Sequence, residues 1–437
     1  MWLLLFVMCF AIAATTVQSF LVASPKRTRH SYASIKKLGS QNDEIIPSLL
    51  IRYAENTSHQ RIVRVGGGIA IVPTGNNQLF DPELEGKLKG TGQCPLRVQL
   101  GYQYKPVPPV SSSYPQSLNQ QQDLEDLQVT AADEWLEDLT LNIPLNFAKP
   151  TQPATATLLA RSRIISNDAP GDIQHVILKL PTGMHYVEGQ SISILPPGID
   201  PKTKKSYSPR LYSIASTRYG DTYDGTTVSL CVRRAEYYDP NTGTIDSTKK
   251  GICSNFLCDA LPGTTVQVAG PVGKTMLLPS NPNVDIIMIA TGTGIAPFRG
   301  FLHRLFMEQT VARHMFTGTA WLILGVPTTG GLLYKDELDA MISNAQPGQL
   351  KVDYAISREM TNPFDGGKLY VQHIMANHAD EFFTRLDHGA NVYFCGLKGM
   401  MPPILETLEK VAASRGVNWE EKQKGLKANN QWHVEVY

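Results

Sequence analysis

The heptapeptide RLYSIAS, Arg210 to Ser216, sets a guanidinium, a phenol and a hydroxyl within four residues of one strand-like run. On a pleated strand Arg210, Tyr212 and Ile214 share one face, while Leu211, Ser213 and Ala215 share the other. A cation beside an aromatic beside a hydroxyl suits a flat, anionic, hydrogen-bonding ligand; the plain alternative is an exposed strand edge. Covalent and metal chemistry find less support. The six cysteines, Cys9, Cys94, Cys231, Cys253, Cys258 and Cys395, form no CxxC pair and have no metal-ligand spacing with histidine, so reduced thiols are expected and no metal site.

The elements that must position RLYSIAS are legible around it. From Thr151 short strand patterns follow one another (TATLLARSRII, IQHVILKL, SISILPP, RLYSIAST, TVSLCVRR and TTVQVAGPVG), separated by Gly, Pro and Asn turns, with one helical piece near Ser254 to Ala260. Many short antiparallel strands predict a β-barrel over 151–279. After Pro279 the texture changes. VDIIMIATGTGIAPFRGFLHRLF reads as a buried strand, a Gly/Thr turn and a helix, and TAWLILGV, LKVDYAIS and GANVYFCG add β-runs followed by helical stretches. Alternating β and α elements predict a doubly wound α/β domain over 280–437, with its ligand crevice at the carboxyl ends of the strands.

The chain of 437 residues is long enough for two or three full cores, and its 42% hydrophobic and 18% charged content is that of a globular protein. A net charge of +1 leaves nucleic acid without an electrostatic claim on the chain as a whole. The apolar run Trp2 to Ala14 has signal-peptide length, and the segment from Phe20 to Ser40 carries Lys26, Arg27, Arg29, Lys36 and Lys37 with no acid, which is transit-peptide composition. Segments 1–19 and 20–40 are therefore expected to act as a signal peptide and a transit-peptide-like address; secretion or membrane anchoring is the competing reading. A small module of unknown role is expected at 41–105, and a linker with an acidic amphipathic stretch, Asp123 to Leu139, at 106–150. Together these form an N-terminal extension, β-rich or partly disordered. Its Gly66 to Gly68 triplet reads as a bulge or bend within a strand-like run.

RLYSIAS, GICSNFLCDALPG, GPVGKTMLLP, ATGTGIAPFRGFL, LGVPTTGGLLYKDEL, AISREMTN, YFCGLKGM and the terminal WHVEVY occur in that order. With this ordered set, residues 151 to 437 closely resemble plastid and cyanobacterial ferredoxin-NADP(+) reductases. The resemblance implies an FAD-binding barrel and an NADP(H)-binding α/β domain. It implies that Arg210 pairs with the FAD diphosphate, that Tyr212 packs on the isoalloxazine and that Ser213 lies near flavin N5; Leu211, Cys231, Val232, Cys253, Ser254, Asn255, Thr293 and Tyr437 complete the FAD contacts. Guanidinium and aromatic chemistry suit those tasks. Ser254 opens a helix whose free N–H groups would take phosphate, or it is a plain N-cap.

For NADP the resemblance implies Arg233, Thr293, Gly325, Val326, Ser357, Arg358, Lys368, Tyr370, Gly396, Leu397 and Glu435. Hydroxyl, guanidinium, ammonium and aromatic at Ser357, Arg358, Lys368 and Tyr370 suit a 2'-phosphate and a purine, which favours NADP over NAD. Arg234 reads as a solvated charge. The resemblance further implies catalytic roles for Ser213, Cys395, Glu435 and Tyr437: Cys395 packing near the reacting nicotinamide carbon, Glu435 orienting the nicotinamide and supplying a proton through Ser213, and Tyr437 stacking on the flavin until nicotinamide displaces it. A plant-type [2Fe-2S] ferredoxin, or flavodoxin, is the implied one-electron partner. Lys202, Lys204, Lys205, Arg299 and Arg304 are candidates for the basic surface that meets it. The signal and transit segments resemble the bipartite presequences of algae with plastids of secondary origin, so a plastid stroma or the stromal thylakoid surface is the expected place. A diflavin reductase lacks its FMN domain here, since 41–150 is too short; an NADPH-dependent flavin reductase serving another one-electron acceptor remains the alternative. The direction of electron flow is not written in the sequence.

Overall fold

A computed structural model describes residues 143–437, apart from 223–224, 241, 247–248, 309–311 and 314–315, together with the backbone of two strands further upstream. Those strands, β1 (Gln60–Val65) and β2 (Gly68–Pro73), pair antiparallel with Val65 opposite Gly68. Of the glycine triplet read as a bulge or bend, Gly66 and Gly67 lie outside the described residues. The segments expected at 1–40, the remainder of the 41–105 module and the acidic stretch from Asp123 lie outside the described residues.

The first sheet has six antiparallel strands: β3 (Ala154–Arg163), β4 (Ile173–Lys179), β5 (Ser191–Leu195), β6 (Arg210–Ser213), β7 (Thr227–Arg233) and β8 (Thr265–Val272), in the order β6-β5-β8-β3-β4-β7. An isolated bridge between Ile214 and Leu230 joins the two edge strands, so the sheet curls into a barrel. In β3 burial alternates from Ala156 onward, the signature of one face in the core and one toward solvent. By contrast β4 and β7 are buried almost throughout. Their alternate residues serve two cores: Val228, Leu230 and Val232 enter the barrel interior, while Ile173 and Cys231 join the core of the second domain. Helix α1 (Ile252–Asp259) closes the barrel with Cys253, Leu257 and Cys258. Ahead of β3 the chain is already docked, since Ala148 pairs with Gly270 and Asn146 N–H donates to the Pro271 carbonyl at 2.9 Å.

The second sheet is parallel throughout: β9 (Ile286–Thr291), β10 (Ala320–Val326), β11 (Leu350–Ile356), β12 (Asn391–Gly396) and β13 (Trp432–Val436), in the order β11-β10-β9-β12-β13. One face is covered by α2 (Ile295–Leu302), α3 (Lys335–Asn344) and the outside of the barrel; the other by α4 (Val371–Asn377), α5 (Ala379–Asp387), α6 (Met401–Ser414) and α7 (Trp419–Ala428). Both faces being covered explains why IIMIA and WLILG are uninterrupted apolar runs. The barrel and the α/β sheet share one apolar cluster, in which Ile173, Ala215 and Cys231 meet Ile295, Phe298 and Phe301. Truncating a fully buried phenylalanine such as Phe298 would cost about 3 to 5 kcal/mol.

Candidate active site

In the parallel sheet the connection from β9 leaves toward β10 on one side and the later strand β12 lies on the other, so the topological switch falls between β9 and β12. Thr291, Cys395 and Gly396 stand at the carboxyl ends that flank it. The turn Gly292–Gly294 after β9 touches β12 so closely that a Cβ on Gly294 would lie 2.0 Å from the Cys395 carbonyl. Thr291 Oγ1 accepts the Leu397 N–H at 3.2 Å, which ties the two strand ends together. Chain termini ordinarily fray, yet Tyr437 is pinned: its N–H donates to the Gly396 carbonyl at 3.0 Å and its carbonyl accepts the Lys398 N–H at 2.8 Å. Its hydroxyl meets Thr293 Oγ1, and the residue as a whole is 56% exposed at the mouth of the crevice.

Glu435 lies opposite Cys395 in the β12–β13 ladder. One of its carboxylate oxygens accepts two hydroxyls from the barrel, Ser213 Oγ at 2.9 Å and Ser191 Oγ at 2.7 Å. Ser191 and Ser213 face each other across β5 and β6, so the two serines form a clasp around the carboxylate. Sequence reasoning found Ser213 and Glu435 but missed Ser191, whose partner is 244 residues away. Its only signal was a hydroxyl at the head of an apolar strand. Burial pushes the Cys395 thiol well above its ordinary range, and the Glu435 charge pushes it the same way. A thiol held protonated is a packing group and not a nucleophile.

RLYSIAS does not alternate simply. Arg210 and Leu211 are exposed, Tyr212 and Ser213 half-buried, and Ile214 and Ala215 buried, because the run enters the molecule along its length. Beyond the Ile214–Leu230 bridge β6 pairs only with β5, and β7 only with β4. Among the described residues no ladder therefore joins the facing edges of Tyr212–Ser213 and Cys231–Arg233. The side chains of Cys231 and Val232 are buried in the two cores, which leaves their backbone as the part turned to that gap. Arg210 donates only to the carbonyls of Ser208 and Pro209, at 3.0 and 3.2 Å, and no described carboxylate pairs with it. Its charge is felt at Cys253, in the first turn of α1, and so is the neighbouring Tyr212 hydroxyl. A guanidinium, an aromatic and a helix N-terminus are thus gathered in one place.

Three expectations around α1 need correction. Gly251, not Ser254, is the N-cap; Ser254 is the third helical residue, and its hydroxyl accepts the Ala235 N–H at 3.0 Å. Asn255 is turned inward, donating to the carbonyls of Ala235 and Gly251 and accepting from Arg234 at 3.0 Å, so its side chain is consumed by the loop. Arg234 is no solvated charge: it bridges Asp172 at 2.9 Å and Asp259 at 2.8 Å. Its neighbour Arg233 is exposed and carries no described ion pair, and its charge reaches the Tyr437 hydroxyl.

The cationic group after β11 is assembled by backbone. Ser357 and Arg358 donate their N–H groups to the carbonyls of Val326 and Pro327, both at 2.9 Å, which fastens them beside the end of β10. A Thr361–Lys368 bridge folds the next loop back, bringing Lys368 and the half-exposed Tyr370 to the same end of the sheet. Tyr370 is the N-cap of α4 and shares a capping box with His373. Gly325 lies against Val371, where a Cβ would approach a methyl group to 2.8 Å. Leu397 is 53% exposed beside Gly396.

The basic surface was partly misread. Lys202, Lys204 and Lys205 are exposed, whereas Arg299 and Arg304 are 1% and 4% exposed and pair with buried acids. Neither arginine can meet a partner protein.

Residues 288–405 match the family model described as the oxidoreductase NAD-binding domain. The chain is 54% identical over 296 residues to the chloroplastic ferredoxin-NADP reductase embryo isozyme of Oryza sativa subsp. japonica, an alignment covering 67% of this chain and 78% of that one. The chain belongs to the ferredoxin-NADP reductase family. The chloroplastic reductase of Chlamydomonas reinhardtii is 51% identical over 297 residues, covering 68% of this chain and 83% of its own length. In fold, the ferredoxin-NADP+ reductase of Plasmodium falciparum superposes with a TM-score of 0.53 over 67% of this chain and 100% of that one, at 24% identity. The reductase family accounts for the barrel followed by the parallel domain, and for the position of the crevice between them.

Proposed function

We propose that this chain is a plastid flavoenzyme that moves two electrons, one from each of two reduced ferredoxins, together with a proton, onto NADP+ to give NADPH, reversibly. The observation that carries the reading is the meeting of Glu435 with Ser213. It places a carboxylate from the end of the parallel sheet against the hydroxyl strand of the barrel, where the open β6/β7 gap faces the β9/β12 crevice.

The residues fit FAD. The unladdered strand edges supply backbone donors and acceptors to a flat heterocycle, Tyr212 supplies an aromatic face, and Arg210 with the first turn of α1 supplies a diphosphate site free of carboxylate. Bound there, FAD couples one-electron to two-electron chemistry. The chain's own residues do the rest. Leu211, Cys231, Val232 and Cys253 shape the pocket by packing and backbone, Ser254 keeps a hydroxyl hydrogen to donate, and Asn255 holds the loop that carries the helix start. Ser213 and Glu435 form a two-group route for the proton, with Ser191 fixing the carboxylate. Cys395 packs at the reacting carbon, where small misplacements are costly. Tyr437, whose hydroxyl meets Thr293, would cover a bound flavin and yield to nicotinamide.

NADP would lie across the carboxyl ends of the parallel strands. Ser357, Arg358 and Lys368 take the 2'-phosphate, Tyr370 stacks on adenine, Arg233 meets the diphosphate, and Gly325, Val326, Gly396 and Leu397 give the backbone path. Exposed Lys202, Lys204 and Lys205 are the docking cations for an acidic ferredoxin. Flavodoxin as a second donor, entry through a signal and transit presequence, and peripheral attachment at the thylakoid surface belong to the same reading.

Loss of FAD tests the site. The Arg210→Ala protein should bind FAD about tenfold or more weakly, as expected for removing a charge-assisted contact to a diphosphate. Unchanged affinity by flavin fluorescence titration would contradict the assignment.

A further inference from the structure

Among the described residues outside the site, Arg299 makes five side-chain hydrogen bonds. It projects from α2, the helix that starts at the Gly292–Gly294 turn, and is 1% exposed. Its guanidinium holds Glu337 of α3 through Nε at 2.7 Å and Nη2 at 3.2 Å. It also holds Asp221 through Nη1 and Nη2 at 3.1 and 3.2 Å, and Nη1 donates to the Ala215 carbonyl at 2.7 Å. Ala215 lies two residues beyond Ser213. The acids are themselves fixed: Asp221 by His175 at 2.6 Å and Ser229 at 2.7 Å, Glu337 by His303 at 2.7 Å. Tyr334 roofs the guanidinium at 4.9 Å and bonds His175 at 3.0 Å. Next to Arg299, Gly300 lets the helix ride on the same strand end, since a Cβ there would lie 3.1 Å from the Ser216 carbonyl.

We propose that Arg299 is a positioning residue for hydride transfer, fixing the turn at the nicotinamide end of the crevice against the strand that carries Tyr212 and Ser213. This rests on the function proposed above. The domains do not need the arginine to adhere, because the apolar cluster around Ile295, Phe298 and Phe301 already joins them. Apolar contact is non-directional and tolerates small slides. A planar fork that engages one acid from each domain and a strand carbonyl selects a single register between them. Donor and acceptor atoms must sit about 3 to 3.5 Å apart for transfer, so a slide of about 1 Å costs on the order of 100-fold in rate. Lysine keeps the charge and lacks the fork.

The test uses the full chain with FAD bound. The Arg299→Lys protein should retain FAD and unchanged far-ultraviolet circular dichroism, while the visible dichroism bands of the flavin change as its surroundings shift. With NADPH and ferricyanide, kcat should fall about 10- to 100-fold, and KM should stay within about threefold because Ser357, Arg358 and Lys368 are untouched. The isotope effect with NADPH deuterated at C4 should rise as transfer becomes limiting. A flavin-loaded variant with wild-type kcat, isotope effect and visible dichroism would overturn the proposal. Should the lysine variant fail to accumulate, Glu337→Gln, which preserves shape and breaks the two-acid clamp, is expected to show the same kcat-over-KM split; wild-type kcat there also overturns it. A wild-type protein that does not oxidise NADPH would remove the function itself, whereas an active wild type with indifferent variants removes only the role of Arg299.

Discussion

Arg358→Ala isolates the recognition of the nicotinamide cofactor. The side chain is exposed and forms no described ion pair, and only its backbone N–H is bonded, to Pro327 at 2.9 Å. Removing it therefore leaves the fold's own contacts intact, and the melting temperature should not move. On the proposed function, what is lost is a guanidinium contact to the 2'-phosphate dianion. Hydrogen bonds to charged groups contribute about 1.5 to 3 kcal/mol. At about 1.36 kcal/mol per tenfold, that is roughly a 10- to 150-fold fall in kcat/KM for NADPH. NADH has no 2'-phosphate, so its kcat/KM should stay within about twofold. Because the site is exposed, added salt screens it, and steady-state oxidation of both nucleotides with ferricyanide is best measured at low ionic strength. Equal losses with NADPH and NADH would refute the 2'-phosphate assignment.

Two further outcomes follow from other parts of the molecule. On the proposed function, Tyr437→Ser removes the ring that nicotinamide must displace; freeing the competent state should raise kcat/KM for NADH about tenfold, and unchanged selectivity contradicts the gate. Glu188 tests the buried charges beneath the barrel. Burial raises its pKa, but Arg218 at 2.7 Å and Arg304 at 3.7 Å outweigh burial and hold it at about 2, below the ordinary 4.5. A depressed carboxylate stabilises the fold above pH 4.5 and loses that contribution as pH falls toward 2. Glu188→Gln should cost on the order of 3 kcal/mol at neutral pH and flatten the acid limb of the stability curve over that window; an unaltered limb in chemical denaturation would contradict it.

Much of the fold was legible because its signals are local. Strands such as IQHVILK and TVSLCVR are bounded by turn residues, and the change from short strands to β-turn-helix units after Pro279 marks the second sheet. The site was legible where chemistry and local spacing coincide, as in RLYS and in Ser357 with Arg358. It failed where a side chain's fate is set by a distant partner. APFRGFLHRLF reads as a helix whose two arginines are candidate surface cations, yet Asp221, Glu188 and Glu337 arrive from elsewhere and draw both arginines inward. Arg234 was misread for the same reason, through Asp172 and Asp259. Ser191 escaped notice because nothing near it in the chain announces Glu435. The order of Tyr437 depends on β13 lying beside β12, a pairing that five residues at a chain end do not declare.

The most direct measurement is NADPH-driven reduction of cytochrome c by the purified protein, with and without a plant-type [2Fe-2S] ferredoxin, at low and high salt. Strong dependence on added ferredoxin is expected, and because docking rests on exposed lysines the rate should fall steeply as salt rises. Equal rates without ferredoxin would contradict the assignment and identify a flavin reductase that serves a different one-electron acceptor.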